Sequence, residues 1–434
     1  MNIVHITPHL GGGVKTVLLG WAKEDKENKH IFLSLGYTDN EVKETFLKLN
    51  IALYDNLYKD YDFISELVFF ADVVVIHYWN FPPLIHLLLN SNIPECRVIT
   101  WCHNSGFHAP YTIPKGVVEY SDKFIFTSPI SYNLGICKEY PPDKFDCIWS
   151  TGGVDKYQKI QKKRHEGFNI LYIGTLDFAK LRNDFVYICS EILEEIPEAI
   201  ITVCGNGSSM KEIEYSISDL ELQDRIKLEG LVEDIKPYLQ VADVFLYPLD
   251  SYHYGTAEQI LGEVMACGLV PIVFDNPCEM EIVEDEMTGF VVSTIQQCID
   301  RVKELYIDNE DGITWSQLTL NASLSALEKY SISNMIDDWN KLFKESTSLP
   351  KKKREWNTCF EGMYGIGTVT FLESLNEQEA NIFHNYISYE RQLKTLLKSS
   401  LQWNSESKGS IKQYLKYFPE DVYLNRFKKL MEEN

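Results

Sequence analysis

Short apolar runs alternate with longer stretches of helical periodicity along this 434-residue chain, and the alternation starts twice. The first series runs Ile3–Thr7, Val14–Lys23, Ile31–Leu35, Val73–His77, Val98–Cys102 and Lys123–Phe126. The second begins at Asn169–Gly174 and continues through Ile200–Cys204, Ile226–Leu228, Val244–Tyr247 and Val270–Phe274. Strand-sized apolar runs joined by helical segments predict parallel sheets, because a parallel pair needs a long crossover that covers the sheet face. A restart of the series predicts two successive doubly wound α/β units. Length agrees, since single cores stop growing at about 250–300 residues.

Composition marks the boundaries. Val154 to Gly167 is polar and basic (Lys156, Lys159, Lys162, Lys163, Arg164) and interrupts the rhythm, which predicts a linker. The expected domains are residues 1–155, residues 156–330, a closing helix over 331–348 that returns toward the first domain, and a helical extension over 349–434. Helical patterns at Ile313–Glu328 and Ser333–Glu345 close the second unit before Lys351–Arg354 breaks the periodicity. In the extension, Glu377–Leu397 and Ile411–Phe418 carry apolar residues at spacings of three and four. Its aromatics (Trp356, Tyr364, Phe371, Phe383, Tyr386, Tyr414, Phe418) are expected to bury rather than to form a ligand platform.

A formal net charge of −22 argues against nucleic acid as a general partner and disfavours anionic membranes, because like charges repel. Lys351–Arg354 is a local exception, a candidate for peripheral membrane or lipid-linked acceptor contact, although a run this short more often serves as a solvated linker. The ten cysteines, among them Cys96, Cys102, Cys137, Cys204 and Cys267, lack paired metal or redox spacing and are expected to be reduced and buried. Met1–Ile6 enters a strand at once, which predicts no secretory signal, and no apolar run reaches membrane-spanning length. A cytoplasmic protein is the expectation.

Four stretches stand where chemistry is expected. Thr7 to Thr16 leads from a strand through Gly11-Gly12-Gly13 into a helix, where free N–H groups and the helix dipole suit a phosphate; a tight turn without a ligand fits as well. His103 follows directly on the Val98–Cys102 strand, at the end that faces the ligand crevice of α/β folds, against the reading of a structural histidine. Gly174 to Arg182 brings Lys180 and Arg182 to a strand end, where cations neutralise a diphosphate leaving group, unless they merely solvate a helix start. Gly255 to Gly268 forms an amphipathic helix with Glu258 in its first turn and Glu263 on an adjacent face; these carboxylates suit sugar and ribose hydroxyls, while a helix N-terminus favours Glu258 in any case.

Taken in order, these pieces resemble the retaining, nucleotide-sugar-dependent glycosyltransferases of glycosyltransferase family four (glycosyl transferases group 1), over about residues 1–346. Further landmarks are Ser150–Asp155, Val203–Gly207, Tyr238–Pro248, Glu263–Pro271, Glu281–Val283 and Thr288–Val292. The resemblance implies the GT-B fold, two Rossmann-like domains facing a cleft, with the acceptor on the N-terminal side and the nucleotide-sugar on the C-terminal side. It implies that Gly12 and Gly13 open the first domain toward the donor, that His103 contacts the sugar, and that Glu263 binds the ribose. Gly205 and Gly207 fall to the donor side, and Lys180 to the diphosphate. The family's second glutamate normally lies eight positions before Glu263, where this chain has Gly255; Glu258 is the nearest carboxylate. Thr175 stands where the family carries an arginine, and Arg182 is the candidate replacement.

The implied reaction moves a sugar to a hydroxyl of a glycan or lipid-linked acceptor with retention, the leaving diphosphate helping to deprotonate the acceptor, with His103, Lys180 and Glu258 as its catalytic residues. No cofactor and no metal site are expected. Surface polysaccharide or glycoconjugate synthesis is the setting the family suggests. Two rivals remain open: a sugar-nucleotide epimerase of the same fold, and a non-catalytic glycan-binding scaffold derived from a transferase.

Overall fold

A computed structural model describes residues 1–308, 313–398, 401–406 and 408–432. The chain divides into two compact units, residues 1–152 with 332–434, and residues 153–331. In unit 1 the strands are β1 (Asn2–Thr7), β2 (Lys29–Ser34), β3 (Ala52–Tyr54), β4 (Val73–Tyr78), β5 (Val98–Cys102), β6 (Lys123–Phe126) and β7 (Phe145–Cys147). They pair in parallel in the order β3-β2-β1-β4-β5-β6-β7. Unit 2 holds β8 (Phe168–Ile173), β9 (Ala199–Cys204), β10 (Ile226–Gly230), β11 (Val244–Tyr247), β12 (Val270–Phe274) and β13 (Phe290–Val292), parallel in the order β10-β9-β8-β11-β12-β13. Both sheets reverse direction of winding at their first strand, so each opens a crevice beyond the carboxyl ends of its central strands.

The apolar runs become strands because both faces are covered: every residue of β4 is buried. The strands that periodicity misses, β3, β7 and β13, are three residues long and lie at sheet edges, too short to show a period. The glycine loop enters its helix earlier than the apolar pattern indicates, at Gly12–Glu24 rather than Val14–Lys23.

Trp21 on that helix stacks on Trp339 at 4.7 Å and meets Trp101 edge-on at 5.6 Å. Trp339 lies on the helix Ile332–Thr347 and is fully buried, which seats this C-terminal helix in the core of unit 1. The extension belongs to the same unit. Its aromatics Phe371, Phe383, Trp403, Tyr414 and Phe427 form a core of their own. The Tyr414 hydroxyl donates to Asn80 Oδ1 (3.0 Å), and Asn80 Nδ2 donates to Ser374 Oγ (3.0 Å) and Pro110 O (2.7 Å), pinning the extension to the loop after β4. Its first periodic segment is two helices, Glu377–His384 and Glu390–Lys398, the former capped by the Asn376 side chain.

The basic segment before β8 is strapped to unit 2, since Lys162 Nζ donates to the carbonyls of Leu239 (2.8 Å) and Ala242 (3.0 Å). All ten cysteines are free thiols, but the expectation of general burial is corrected: Cys359 is exposed, and Cys137, Cys147 and Cys267 are half-buried. Among the described residues no helix is long and apolar enough to cross a membrane.

Candidate active site

In unit 2 the loop after β8 runs close to the loop after β9. A Cβ at Gly205 would collide with the Gly174 carbonyl and one at Gly207 with Leu176 O, so these two glycines permit the approach. The β8 loop ends at Lys180, whose Nζ donates to Glu258 Oε2 at 2.8 Å. Tyr247, the last residue of β11, donates its hydroxyl to the same oxygen at 2.6 Å. The rings of Tyr247 and Tyr254 lie 5.9 and 5.8 Å from the ammonium. Burial pushes the Glu258 carboxyl up, but Lys180, with the hydrogen bond from Tyr247, outweighs it and holds the group down at about 2. The same pairing raises Lys180 against its own burial. At neutral pH the site therefore contains a buried carboxylate facing a buried ammonium.

Glu258 sits at the N-cap of the helix Gln259–Ala266, and its peptide carbonyl accepts from the Tyr330 hydroxyl (3.2 Å). Gly255 explains how the carboxylate fits. A Cβ at position 255 would run into Glu258 Oε1 and lie 2.7 Å from His253 Nδ1. The space a side chain at 255 would claim is filled by the carboxylate of residue 258. His253 takes its own place from both sides: the Gly255 N–H donates to Nδ1 (2.9 Å), and Nε2 lies 3.1 Å from Glu279 Oε2. An N–H aimed at Nδ1 needs a lone pair there, so Nε2 carries the proton. Glu279 is fully buried, and among the described residues its Oε1 has no hydrogen-bond partner.

Glu263 is placed apart from this cluster. It is buried on the helix Gln259–Ala266 beside Tyr157, and burial raises its carboxyl to about 7 against the pull of Lys156 and hydrogen bonds from Tyr157 and Gln259. Arg182 also stays apart. Its guanidinium is held by Asp184 through Nε (2.8 Å) and Nη2 (2.6 Å) and stacks over Phe274 at 4.4 Å.

Residues 154–317 match the family model described as Glycosyl transferases group 1. This stretch is thus similar to the glycosyl transferases group 1 family and covers most of unit 2. Over 235 residues it is 24% identical to the amylovoran biosynthesis glycosyltransferase AmsK of Erwinia amylovora, covering 51% of this chain and 58% of that one. Over 141 residues it is 29% identical to the UDP-Gal:alpha-D-GlcNAc-diphosphoundecaprenol alpha-1,3-galactosyltransferase of Escherichia coli, covering 32% and 36%. The aligned stretches thus span less than two thirds of these relatives' own lengths. In fold, the chain is similar to HepE of Anabaena, solved in complex with UDP and glucose, with a TM-score of 0.65 at 15% identity over 80% of this chain and 100% of that one. Two parallel-sheet Rossmann-like units of the GT-B class are the architecture that this likeness supports.

Within residues 154–317 the structure brings together Lys180 and Glu258, and it keeps Glu263 and Arg182 in separate surroundings. Tyr254, His253 and Glu279 complete the cluster and were not singled out from sequence; the run Tyr252-His253-Tyr254 directly before Gly255 is the signal that marks them. In unit 1, a Cβ added at Gly12 (φ +62°) or Gly13 would meet nothing within 4 Å, so the helix entrance is open. His103 is half-buried after β5, and its Nε2 lies 3.0 Å from His77 Nδ1. Burial and Lys408 lower its imidazolium to about 3, so the ring is neutral.

Proposed function

We propose that this chain transfers a glycosyl group from a nucleoside-diphosphate sugar to a hydroxyl of a glycan or lipid-linked acceptor, with retention of configuration, in the making of a surface polysaccharide or glycoconjugate. The observation that carries the reading is the buried Lys180–Glu258 pair at the carboxyl end of β8, in the stretch similar to the group 1 family. A preorganised cation in a dry pocket is what a departing diphosphate requires, because it stabilises charge that grows in the transition state without reorganising. Lys180 has two further N–H groups beside the one given to Glu258. Glu258 Oε1, in the space left by Gly255, is the acceptor for a sugar hydroxyl, and Glu263 is the acceptor for the ribose.

Gly12 and Gly13 offer open backbone to the donor, and His103 meets the sugar. The C1–O bond to the diphosphate breaks, the bond from C1 to the acceptor oxygen forms on the same face, and the acceptor proton passes to a diphosphate oxygen. The chain's residues position and stabilise; none forms a covalent intermediate. The names of the relatives, and the UDP and glucose in HepE, support a nucleotide-sugar donor.

The test is release of nucleoside diphosphate from a panel of nucleotide-sugars, with and without hydroxyl acceptors, and the anomeric configuration of the product. Acceptor-dependent release with a retained anomer is the expected result. An isomerised sugar without acceptor would replace the reading by an epimerase, and binding without any turnover by a scaffold.

A further inference from the structure

Four histidines cross the unit 1 sheet in one unbroken line. His103 Nε2 lies 3.0 Å from His77 Nδ1, His77 Nε2 lies 2.9 Å from His5 Nδ1, and His5 Nε2 lies 2.8 Å from His30 Nδ1. The line ends where His30 Nε2 meets Asp25 Oδ2 at 3.0 Å. It therefore runs from the helix end at Asp25, through β2, β1 and β4, to the residue after β5. His5 and His77 are fully buried, and His5 is packed between Phe32 (4.4 Å, stacked) and Trp21 (5.0 Å, edge-on).

The Asp25 carboxylate is an acceptor only. Its Oδ1 takes the backbone N–H groups of Glu27 (2.9 Å) and Asn28 (3.2 Å), and Oδ2 takes the Asn28 amide (2.9 Å) besides His30. Burial pushes this carboxyl up, yet His30 and Asn28 bring it well below the ordinary range. In the middle of the line burial keeps His5 and His77 neutral, with neighbouring rings adding to the effect. With one N–H on each of the four rings, the four contacts of the line take one proton apiece. Because Asp25 can only accept, His30 must give its Nε2–H. His30 Nδ1 is then bare and must receive from His5 Nε2–H, and the same step repeats through His77 to His103.

We infer that Asp25, His30, His5 and His77 are positioning residues that hold His103 in a single tautomer, Nε2–H with Nδ1 bare, so that His103 meets its ligand as a hydrogen-bond acceptor for a hydroxyl group. This rests on the reading above for the ligand, and on this chain alone for the tautomer. Among the described residues no hydrogen bond is made to His103 Nδ1, which leaves it for a hydroxyl.

The test is the two-bond proton–nitrogen correlation spectrum of the full chain labelled with ¹⁵N-histidine at pH 7.5, the His103 signals being identified by their loss in His103→Gln. The expected wild-type pattern is protonated Nε2 and bare Nδ1 at all four rings. In Asp25→Asn the backbone N–H groups of Glu27 and Asn28 hold the amide oxygen, so the amide N–H₂ faces His30. Every proton in the line then reverses and His103 appears as Nδ1–H. His5→Phe, which keeps the stack on Phe32, breaks the line and leaves His103 in both tautomers.

Wild-type His103 found as Nδ1–H, or a His103 pattern unmoved in both variants, overturns the inference. If Asp25→Asn fails to fold, His5→Phe alone decides. Turnover separates this from the functional reading: Asp25→Asn lowers kcat about tenfold, the worth of one hydrogen bond, with donor KM little changed. If His103→Gln leaves kcat and KM untouched while the tautomer pattern is as expected, the sugar contact of His103 falls and the tautomer control stands.

Discussion

The two units carry the same sheet plan, but the Lys180–Glu258 cluster of one and the histidine line of the other bury polar groups by opposite means. Unit 2 keeps charge inside, where Lys180 and Glu258 satisfy each other at 2.8 Å. The histidine line of unit 1 keeps charge out of its middle: His5 and His77 stay neutral, and the anion of the line, Asp25, sits at its end among four donors. A buried ion pair is costly to break, since the partner left behind has neither solvent nor counter-charge. A neutral line costs little to hold, but it cannot tolerate a proton at the wrong place. The first arrangement suits a site that must meet a charged leaving group, and the second suits one that must orient a single ring.

Breaking the ion pair should have the largest effect. Lys180→Met leaves Glu258 as an uncompensated buried anion, which costs about 3–5 kcal/mol of stability by denaturant titration. It also removes the cation from the reaction, for a fall in kcat on the order of 10²–10³. Adding Glu258→Gln should restore most of the stability and none of the turnover. A single variant as stable as the wild type would mean that the pair is not the buried structure described here.

Acid should separate the units next. His103 is lowered to about 3 and His9 to about 4, with His5 and His77 also far below 6.5. Between roughly pH 6.5 and 4 the unfolded chain therefore binds protons that folded unit 1 does not, and unit 1 loses stability as the pH falls, by roughly 1.4 kcal/mol per pH unit for each such ring. In unit 2, Glu258 is lowered to about 2, so its contribution is complete above 4.5 and is lost only toward pH 2. Hydrogen exchange followed peptide by peptide at pH 5 should show unit 1 opening first, together with a change in tryptophan fluorescence, because every tryptophan except Trp315 lies in unit 1. Loss of protection in unit 2 before unit 1 would contradict this ordering.

The contrast also explains what could be read from the chain before folding. Parallel sheets, the restart at β8 and the strand-end positions of Lys180 and His103 are local or periodic features, and they were legible. Glu258 was legible as a carboxylate near a family position, but the reason it fits there was not: Gly255 makes room for it only once the turn brings residues 255 and 258 together. The histidine line was least legible. His5, His30 and His77 lie on separate strands, up to 72 positions apart between hydrogen-bonded neighbours, and each reads alone as a polar residue in an apolar run. Only the sheet order β2-β1-β4-β5 makes them adjacent.

A smaller effect is expected at Glu263, which stands between the two modes as a buried carboxyl whose burial outweighs the pull of Lys156. Burial raises it to about 7, so the folded domain holds a proton between pH 4.5 and 7 and loses stability as the pH rises through that window. A ribose donating hydroxyls favours the anion. Affinity for a nucleoside diphosphate should therefore rise between pH 6 and 8, by at most about tenfold for one proton released. Isothermal titration of UDP should show this slope in the wild type and a flat, weaker profile in Glu263→Gln. An equal slope in both would assign the titration to another group.

The smallest effect is expected at Arg182, and it bears on how the missing family arginine at Thr175 is made good. Sequence order alone makes Arg182 the natural substitute, because it follows Lys180 by two residues. Geometry opposes this, for both hydrogen bonds of its guanidinium face go to Asp184 and the plane of the group lies on Phe274. A cation already matched by a bidentate carboxylate and packed on a ring has little to offer a diphosphate. Arg182→Ala should change donor KM and kcat by less than about threefold, with a stability loss of about 1 kcal/mol for a partly exposed pair. A loss comparable to that of Lys180→Met would show that Arg182 leaves Asp184 for the donor, and that unit 2 also holds its charge in reserve rather than in place.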